Sequence, residues 1–313
     1  MNRLNFASPR VDLQRFLWLS ALLVPALMSG QVADSPEQAS KADAGGARRT
    51  VDAWVDASYT GGGSTKFLGV KREKSDAFSL GLGIGGRVSL GEGWMVPLGL
   101  QSQNLTMNSL AGTPVPDHVH TLGFSTGLGR RLNDRWTISA TVSPTLYKLE
   151  DIRSNDIGVS GGLTAIWNSS PKLTWAFGLL MNPDSDVPVL PVVGLIWRMN
   201  DRFDLSLVYP KPRLTYRIDD RWRLYAGVNV NAMTFRSKDG LGDSIALPAY
   251  NDALGTYRDI RLGAGLGFKI TETLSVEAEG GSSIHRQIDY TRIDERVKFD
   301  SAAYVRVGLA AAF

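Results

Sequence analysis

Residues Val189–Val230 read VLPVVGLIWRM, NDR, FDLSLVYP, KP, RLTYRI, DDR, WRLYAGVNV. Short apolar-alternating segments are separated by turns of two or three polar residues, the pattern of strands joined by tight hairpins, and helices have no room between them. From Trp222 onward one parity holds Trp222, Leu224, Ala226, Val228 and Val230, and the other holds Arg223, Tyr225, Gly227, Asn229 and Asn231. Strand side chains alternate faces, so one face is wholly apolar and the other carries charge and amide. The turn recurs: Asn133-Asp134-Arg135-Trp136-Thr137-Ile138, Asn200-Asp201-Arg202-Phe203-Asp204-Leu205 and Asp219-Asp220-Arg221-Trp222-Arg223-Leu224 share an x-Asp-Arg-aromatic-x-aliphatic pattern.

Working outward, the same unit repeats from Val51 to Phe313. Strands are predicted near Val51–Tyr59, Ala77–Leu90, Trp94–Leu105, Val119–Leu132, Trp136–Leu149, Asp156–Trp167, Leu173–Asn182, Val189–Met199, Phe203–Tyr209, Arg213–Ile218, Trp222–Phe235, Tyr257–Ile270, Leu274–Arg286 and Phe299–Phe313. Connections at Gly91–Gly93, Asn133–Arg135, Asn168–Lys172, Asn200–Arg202, Asp219–Arg221 and Thr271–Thr273 are tight. Those at Thr60–Asp76, Thr106–His118, Glu150–Asn155, Pro183–Pro188, Arg236–Thr256 and Gln287–Lys298 read as longer polar loops, with Pro210–Pro212 a short exception on the same side. Loops alternating in length by side, with an even strand count, predict an all-β, antiparallel up-and-down transmembrane β-barrel of about fourteen strands (12–16) with both ends in the periplasm.

Val189–Val230 resembles a family of uncharacterised bacterial outer-membrane β-barrel proteins, a domain-of-unknown-function family, in Pro191, Gly194-x-x-Trp197, Tyr209-Pro210-x-Pro212 and the Tyr216 to Trp222 spacing. The resemblance covers Val51–Phe313. It implies the barrel architecture and carries no catalytic or ligand-binding residue with it.

Composition agrees with a barrel. Mean hydropathy is −0.09 with 43% hydrophobic residues and 33 glycines, and a spanning strand needs only about 9–11 residues with one apolar face, so a barrel looks hydrophilic in a hydropathy window. Cysteine is absent, which removes disulfides, thiolate metal sites, cysteine nucleophiles and an N-terminal lipid. The formal charge is +3; Arg3, Arg10, Arg15 and Asp12 contribute +2 of it, leaving +1 beyond residue 30, with no basic face for nucleic acid. Residues 1–30 read as a signal peptide: three arginines, then Phe16–Met28, an apolar run too short to span a bilayer. Residues 31–50 read as a disordered periplasmic lead-in and 51–313 as the outer-membrane barrel.

Trp94, Trp136, Trp175, Phe203 and Trp222 sit at or just past the tight turns and form the expected periplasmic aromatic girdle. Phe313 ends the last strand, with Ala311, Leu309, Val307, Val305 and Ala303 on its face. This resembles the C-terminal strand read by outer-membrane assembly machinery, so the expected partners are outer-membrane lipid and that machinery. The opposite parity predicts lumen charges at Arg217, Arg223, Arg261, Lys269, Glu277, Glu279 and Arg306, with positive charge in excess. In a water-filled pore such an array biases ion passage; equally, paired charges form a structural lattice. Inward glycines fall in rows at Gly81, Gly83 and Gly85, at Gly123, Gly127 and Gly129, and at Gly263, Gly265 and Gly267. Gly61–Gly63 reads as a flexible outer loop, since no Lys-Ser/Thr and helix follow it. His118 and His120 lack a third metal ligand, and His285 near Ser282 and Ser283 lacks an orienting third group, so no metal, cofactor or catalytic residue is expected. The expected function is a pore or transport channel for small polar or ionic solutes, not an enzyme. A non-conducting structural or surface-binding barrel stands as the alternative, and an outer-membrane hydrolase ranks below it.

Overall fold

The computed structural model describes residues 50–313 apart from 109 and 185–187. The signal peptide and lead-in expected over 1–49 lie outside the described residues. The strands in chain order are β1 Thr50–Phe67, β2 Val70–Gly91, β3 Trp94–Met107, β4 His118–Arg131, β5 Trp136–Leu146, β6 Ile157–Ser170, β7 Leu173–Met181, β8 Val189–Arg198, β9 Phe203–Ser206, β10 Arg213–Arg217, β11 Trp222–Arg236, β12 Leu254–Lys269, β13 Leu274–Tyr290, β14 Glu295–Phe299 and β15 Ala302–Ala312. Each is antiparallel to its neighbours in one sheet, which closes where Asp52–Thr60 of β1 pairs with Ala312–Tyr304 of β15. β14 and β15 are two pieces of one stave broken at Asp300 and Ser301, both lying between β13 and β1. Fifteen strands therefore make fourteen staves, the expected number.

The repeated turn has a physical basis. In each copy the first residue is an Asn or Asp whose side-chain oxygen accepts from the two backbone amides that restart the next strand: Arg135 and Trp136 donate to Asn133 at 2.9 Å, Arg202 and Phe203 to Asn200 at 2.9 Å, and Arg221 and Trp222 to Asp219 at 2.8 and 2.7 Å. These side chains replace the backbone acceptors that a tight turn cannot supply. Outside the barrel, Val55, Leu82, Leu100, Val142, Leu163, Leu224, Leu262 and Val307 are exposed, forming the apolar surface that a bilayer covers.

The buried apolar cluster lies inside the barrel at its long-loop end. Phe67, Leu105, Met107, Val119, Phe235, Tyr257, Ile288, Tyr290, Val297 and Phe299 pack there with Val115 and Tyr250 from the loops. Two stretches expected to be loops belong to strands. Thr60–Asp76 is the upper part of the β1–β2 hairpin, turning at Leu68 and Gly69 with φ of 50° and 76°; Gly61–Gly63 is not a loop but lies inside β1 at a register shift. Gln287–Lys298 is mostly the β13–β14 hairpin. A glycine run and three lysines hid the alternation of the first, and charged residues that of the second; their inward apolar residues fill the mouth instead of facing solvent. Arg236–Thr256 remains a true connection and carries one helical turn, α1 (Leu241–Ser244).

Gly63 is a constrained position: a Cβ there would overlap the carbonyl oxygen of Asp300 and come 3.3 Å from Arg286 Nη2. Gly63→Val is therefore expected to lower barrel stability by on the order of 1–3 kcal/mol, read as a lower urea midpoint. Substituting Gly69, which has open space around it, with Asn, a residue that tolerates positive φ, should shift that midpoint far less.

Candidate functional site

The lumen is lined in layers. At the tight-turn end, Arg217 Nη2 meets Asp204 at 2.7 Å, and Lys269 pairs with Glu272 of its own turn at 2.6 Å. Above them Glu277 accepts from Arg213 at 3.2 Å, Arg223 at 3.0 Å and Arg306 at 3.3 Å. Arg306 also meets Asp56 at 2.5 Å and Glu279 at 3.4 Å, and Tyr304 donates to Glu279 at 2.5 Å. Higher still, Arg261 donates to Asp259 at 2.7 Å, Ser58 at 2.9 Å and Thr60 at 3.2 Å, while Ser283 donates to Asp259 at 2.6 Å. Exposure falls along this axis: Arg223 is 29% exposed and Arg261 3%. Water therefore reaches the lower lattice from the tight-turn end and is squeezed out below the apolar cluster.

The inward glycine rows are the space these side chains occupy. A Cβ on Gly263 would strike Tyr304, on Gly265 Tyr225, on Gly267 Arg223, and on Gly81 or Gly83 the ring of Trp54. Large polar side chains lie flat against neighbouring strands only where those strands carry no side chain. Between its ends the far wall is uncharged: Gln101, Gln103, Thr121, Thr141 and Ser160 face inward, followed by Leu180, Leu190 and Val192 on β7 and β8, as the strand registers require, with Arg131 and Arg198 on the inward parity only at the tight-turn end.

The wall is not of even height. β9 and β10 have four and five residues, half of what a spanning strand needs at about 9–11. Pairing on β8 stops near Leu195, whose carbonyl accepts from Leu207, and on β11 near Val230, which donates to Pro210. Val189–Gly194 and Asn231–Phe235 have no strand between them among the described residues. The outer end of β11 instead crosses towards the end of β5, where Arg236 N donates to Tyr147 O at 3.1 Å. A clasp of ions locks that crossing: Arg236 with Asp156 at 3.1 Å, Lys148 with Asp239 at 3.0 Å, and Arg153 with Asp239 at 2.6 Å. The hydrogen bond from Lys148, with the charges of Lys148 and Arg153, holds the Asp239 carboxyl below the usual aspartate range. The result is a narrowed, apolar-filled outer mouth beside an interruption of the strand ladder, a side gap between β8 and β11 with Leu190 and Val192 on one edge and the buried Met233 behind the other.

Of the charges expected in the lumen, Arg223, Glu277, Glu279 and Arg306 come together in one lattice. Arg217 pairs separately with Asp204, Arg261 belongs to a higher layer, and Lys269 sits at the rim. Asp56, Asp204, Asp259 and Arg213 complete the set, so five arginines (Arg213, Arg217, Arg223, Arg261, Arg306) face five carboxylates (Asp56, Asp204, Asp259, Glu277, Glu279) and the expected positive excess among them is cancelled, leaving only Lys211 beside them. Strand parity alone would have found Arg213, Asp204 and Asp259. Lys211, in the proline link, also faces this lattice, feeling Arg306, Asp56, Glu277 and Arg213; nothing in a Pro-Lys-Pro link marks it as inward. Trp94, Trp136, Trp175, Phe203 and Trp222 all lie on the outward parity by the tight turns, with Trp136 stacked on Trp167 and Trp222 against Phe268. Phe313 clamps the closing seam through paired backbone bonds with Val51 at 3.0 and 2.8 Å. His118 and His120 bond to Thr106 and Ser102, no group of three potential metal ligands occurs among the described residues, and Ser283 faces inward on Asp259 while His285 follows the β13 bulge outward.

Closed fourteen-stave topology, an apolar exterior and a charged interior define a transmembrane β-barrel of outer-membrane type. The chain belongs to the family described as Domain of unknown function (DUF6268), whose model matches residues 75–312. No curated protein matches the chain. Among solved structures it is similar to the COG4313 outer membrane channel from Pseudomonas putida F1 (12% identity, 86% of this chain and 97% of that one, TM-score 0.48). It is also similar to a Pseudomonas aeruginosa FadL homologue (13%, 85% and 90%, TM-score 0.43) and to the Pseudomonas putida toluene transporter TodX (10%, 84% and 89%, TM-score 0.41).

Glu277 is the shared acceptor of three arginines, so Glu277→Gln takes the carboxylate from Arg213 and Arg223 while Arg306 keeps Asp56 and Glu279, and it is expected to cost about 3 kcal/mol in urea unfolding. Glu279→Gln should cost clearly less, because Arg306 keeps Asp56. The clasp has a pH signature. A carboxyl with a lowered folded-state pKa stabilises above its unfolded value and loses that stabilisation as pH falls through the folded one. Hydrogen-exchange protection across Arg236–Asp243, taken relative to the intrinsic rate at each pH, should thus hold through mildly acidic pH and fall only below about pH 4.

Proposed function

We propose that this protein is an outer-membrane channel for small solutes carrying a polar or ionic group, delivered to the membrane by its leader and assembled through its C-terminal strand and Phe313. The side gap between β8 and β11 is the observation that supports this reading. It opens beside the apolar cluster and above a lumen that is wet at the tight-turn end, so a solute can bypass the closed outer mouth. The apolar flank of Leu190, Val192 and Met233 accepts the solute's carbon skeleton, and the Glu277-centred lattice meets its polar group. The second reading is a non-conducting structural barrel, favoured by the complete pairing of the five lattice arginines.

Planar-bilayer recording of refolded protein separates the two. A channel gives discrete conductance steps; a silent bilayer with correctly folded protein supports the structural barrel. Narrowing the gap with Val192→Trp is expected to lower conductance by about twofold or more, whereas releasing the clasp with Asp239→Ala should change it by less than about twofold. A large rise on clasp release would move the solute path to the outer mouth.

A further inference from the structure

Five arginines are nearly fully buried: Arg236, Arg258, Arg261, Arg286 and Arg306. Four have a carboxylate within reach: Arg236 with Asp156, Arg258 with Asp289, Arg261 with Asp259 and Arg306 with Asp56. Arg286 is the most buried of the five, at 2% exposure, and has no such partner among the described residues. Its Nη2 donates to the Ser75 carbonyl at 2.6 Å, and its guanidinium carbon lies 4.7 Å from the centre of the Phe299 ring. Nε and Nη1 have no hydrogen-bond partner, and neither does the buried Thr65 Oγ1. Arg286 and Thr65 flank Phe299 in the ladder, one on β13 and the other on β1. Gly63, two residues from Thr65, leaves the opening through which the guanidinium passes.

An ionised group withdrawn from water without a counter-charge is strongly disfavoured, and truncating one partner of a buried pair normally costs several kcal/mol. Here that unfavourable arrangement is built into the inner wall at the base of the apolar cluster, in the same ladder row as Asp259, whose carboxylate oxygens accept from Arg261, Ser283 and Tyr257 instead. Three unfilled hydrogen-bonding groups and a guanidinium outside any ion pair among the described residues thus share one ladder row, Arg286 and Thr65 on either side of Phe299. We infer that Arg286, with Thr65, forms an oxyanion-binding site in the lumen, taking the carboxylate or phosphate of a small solute. Phe299 and the cluster above it supply an apolar seat for the solute's remaining carbon. Charge-assisted hydrogen bonds from a guanidinium to an oxyanion are the strong kind in a dry site. The site selects for anionic solutes within the channel reading, on which its transport role rests; occupancy itself does not depend on conduction.

The test therefore reads binding directly. Full-length refolded protein in detergent is heated with sodium acetate or sodium phosphate, ionic strength being held constant with sodium chloride, and the heat-modifiable gel shift gives the midpoint. Wild type should show a saturable rise of about 5 °C at an anion concentration ~100-fold above its Kd. Arg286→Met should lose the response, Thr65→Val should weaken it at least several-fold in apparent Kd, and Arg292→Gln, in the exposed β13–β14 turn, should keep it. A response to acetate alone assigns the site to carboxylates, and to phosphate alone to phosphorylated solutes. A wild-type midpoint indifferent to both anions relative to chloride overturns the site, as does an unchanged response in Arg286→Met. If Arg286→Met fails to fold, Thr65→Val decides: an unaltered apparent Kd in that variant refutes the proposal.

Discussion

A lipid interior offers no hydrogen-bond partners, so every backbone donor and acceptor of a spanning sheet must be matched within the sheet. Here that requirement is met by joining the first and last staves, Asp52–Thr60 with Ala312–Tyr304. The closure does more than remove two edges. It brings Asp56 beside Arg306, 250 positions later in the chain, and Ser58 and Thr60 beside Arg261. The central charge lattice is complete only in the closed barrel, since Asp56, Ser58 and Thr60 of β1 supply oxygens to Arg306 and Arg261.

With lipid outside, apolar side chains on the outer face gain membrane compatibility but contribute no packed core. The packed apolar core lies inside, at the long-loop end, where the β1–β2 and β13–β14 hairpins rise above the other staves and fold their inward residues over the mouth. Unequal stave length follows from the same asymmetry. Tall strands from β11 round to β4 carry the cluster, and the outer end of β11 reaches the clasp beyond β5, while β9 and β10 stop at half height and leave the side gap. A polar lower lumen, a dry upper plug and an opening in the wall thus arise from strand length, not from a separate domain.

Strand number, turn chemistry, the outward aromatics and most inward charges were legible because each depends on a short local pattern: period two, Asn or Asp at a turn, and a restart aromatic. The two tall hairpins were not. Gly61–Gly63 and the lysine-rich run after it look like loop sequence, yet Gly63 is small because Asp300 and Arg286 lie against it. The balance of the lumen was likewise misjudged from sequence, because Asp204 and Asp56 become partners of Arg217 and Arg306 only through cross-strand and cross-seam neighbours.

The sequence by itself determined a fourteen-stave antiparallel barrel with an apolar outside and a charged inside, since alternation and turn spacing are properties of adjacent residues. Tertiary structure decided which charges neutralise one another, what fills the glycine rows, where the wall is interrupted and that Arg286 makes no ion pair among the described residues. Those outcomes depend on distances across the lumen and across the β1–β15 seam, and no local pattern in the chain encodes a distance between residues that meet only when the barrel closes.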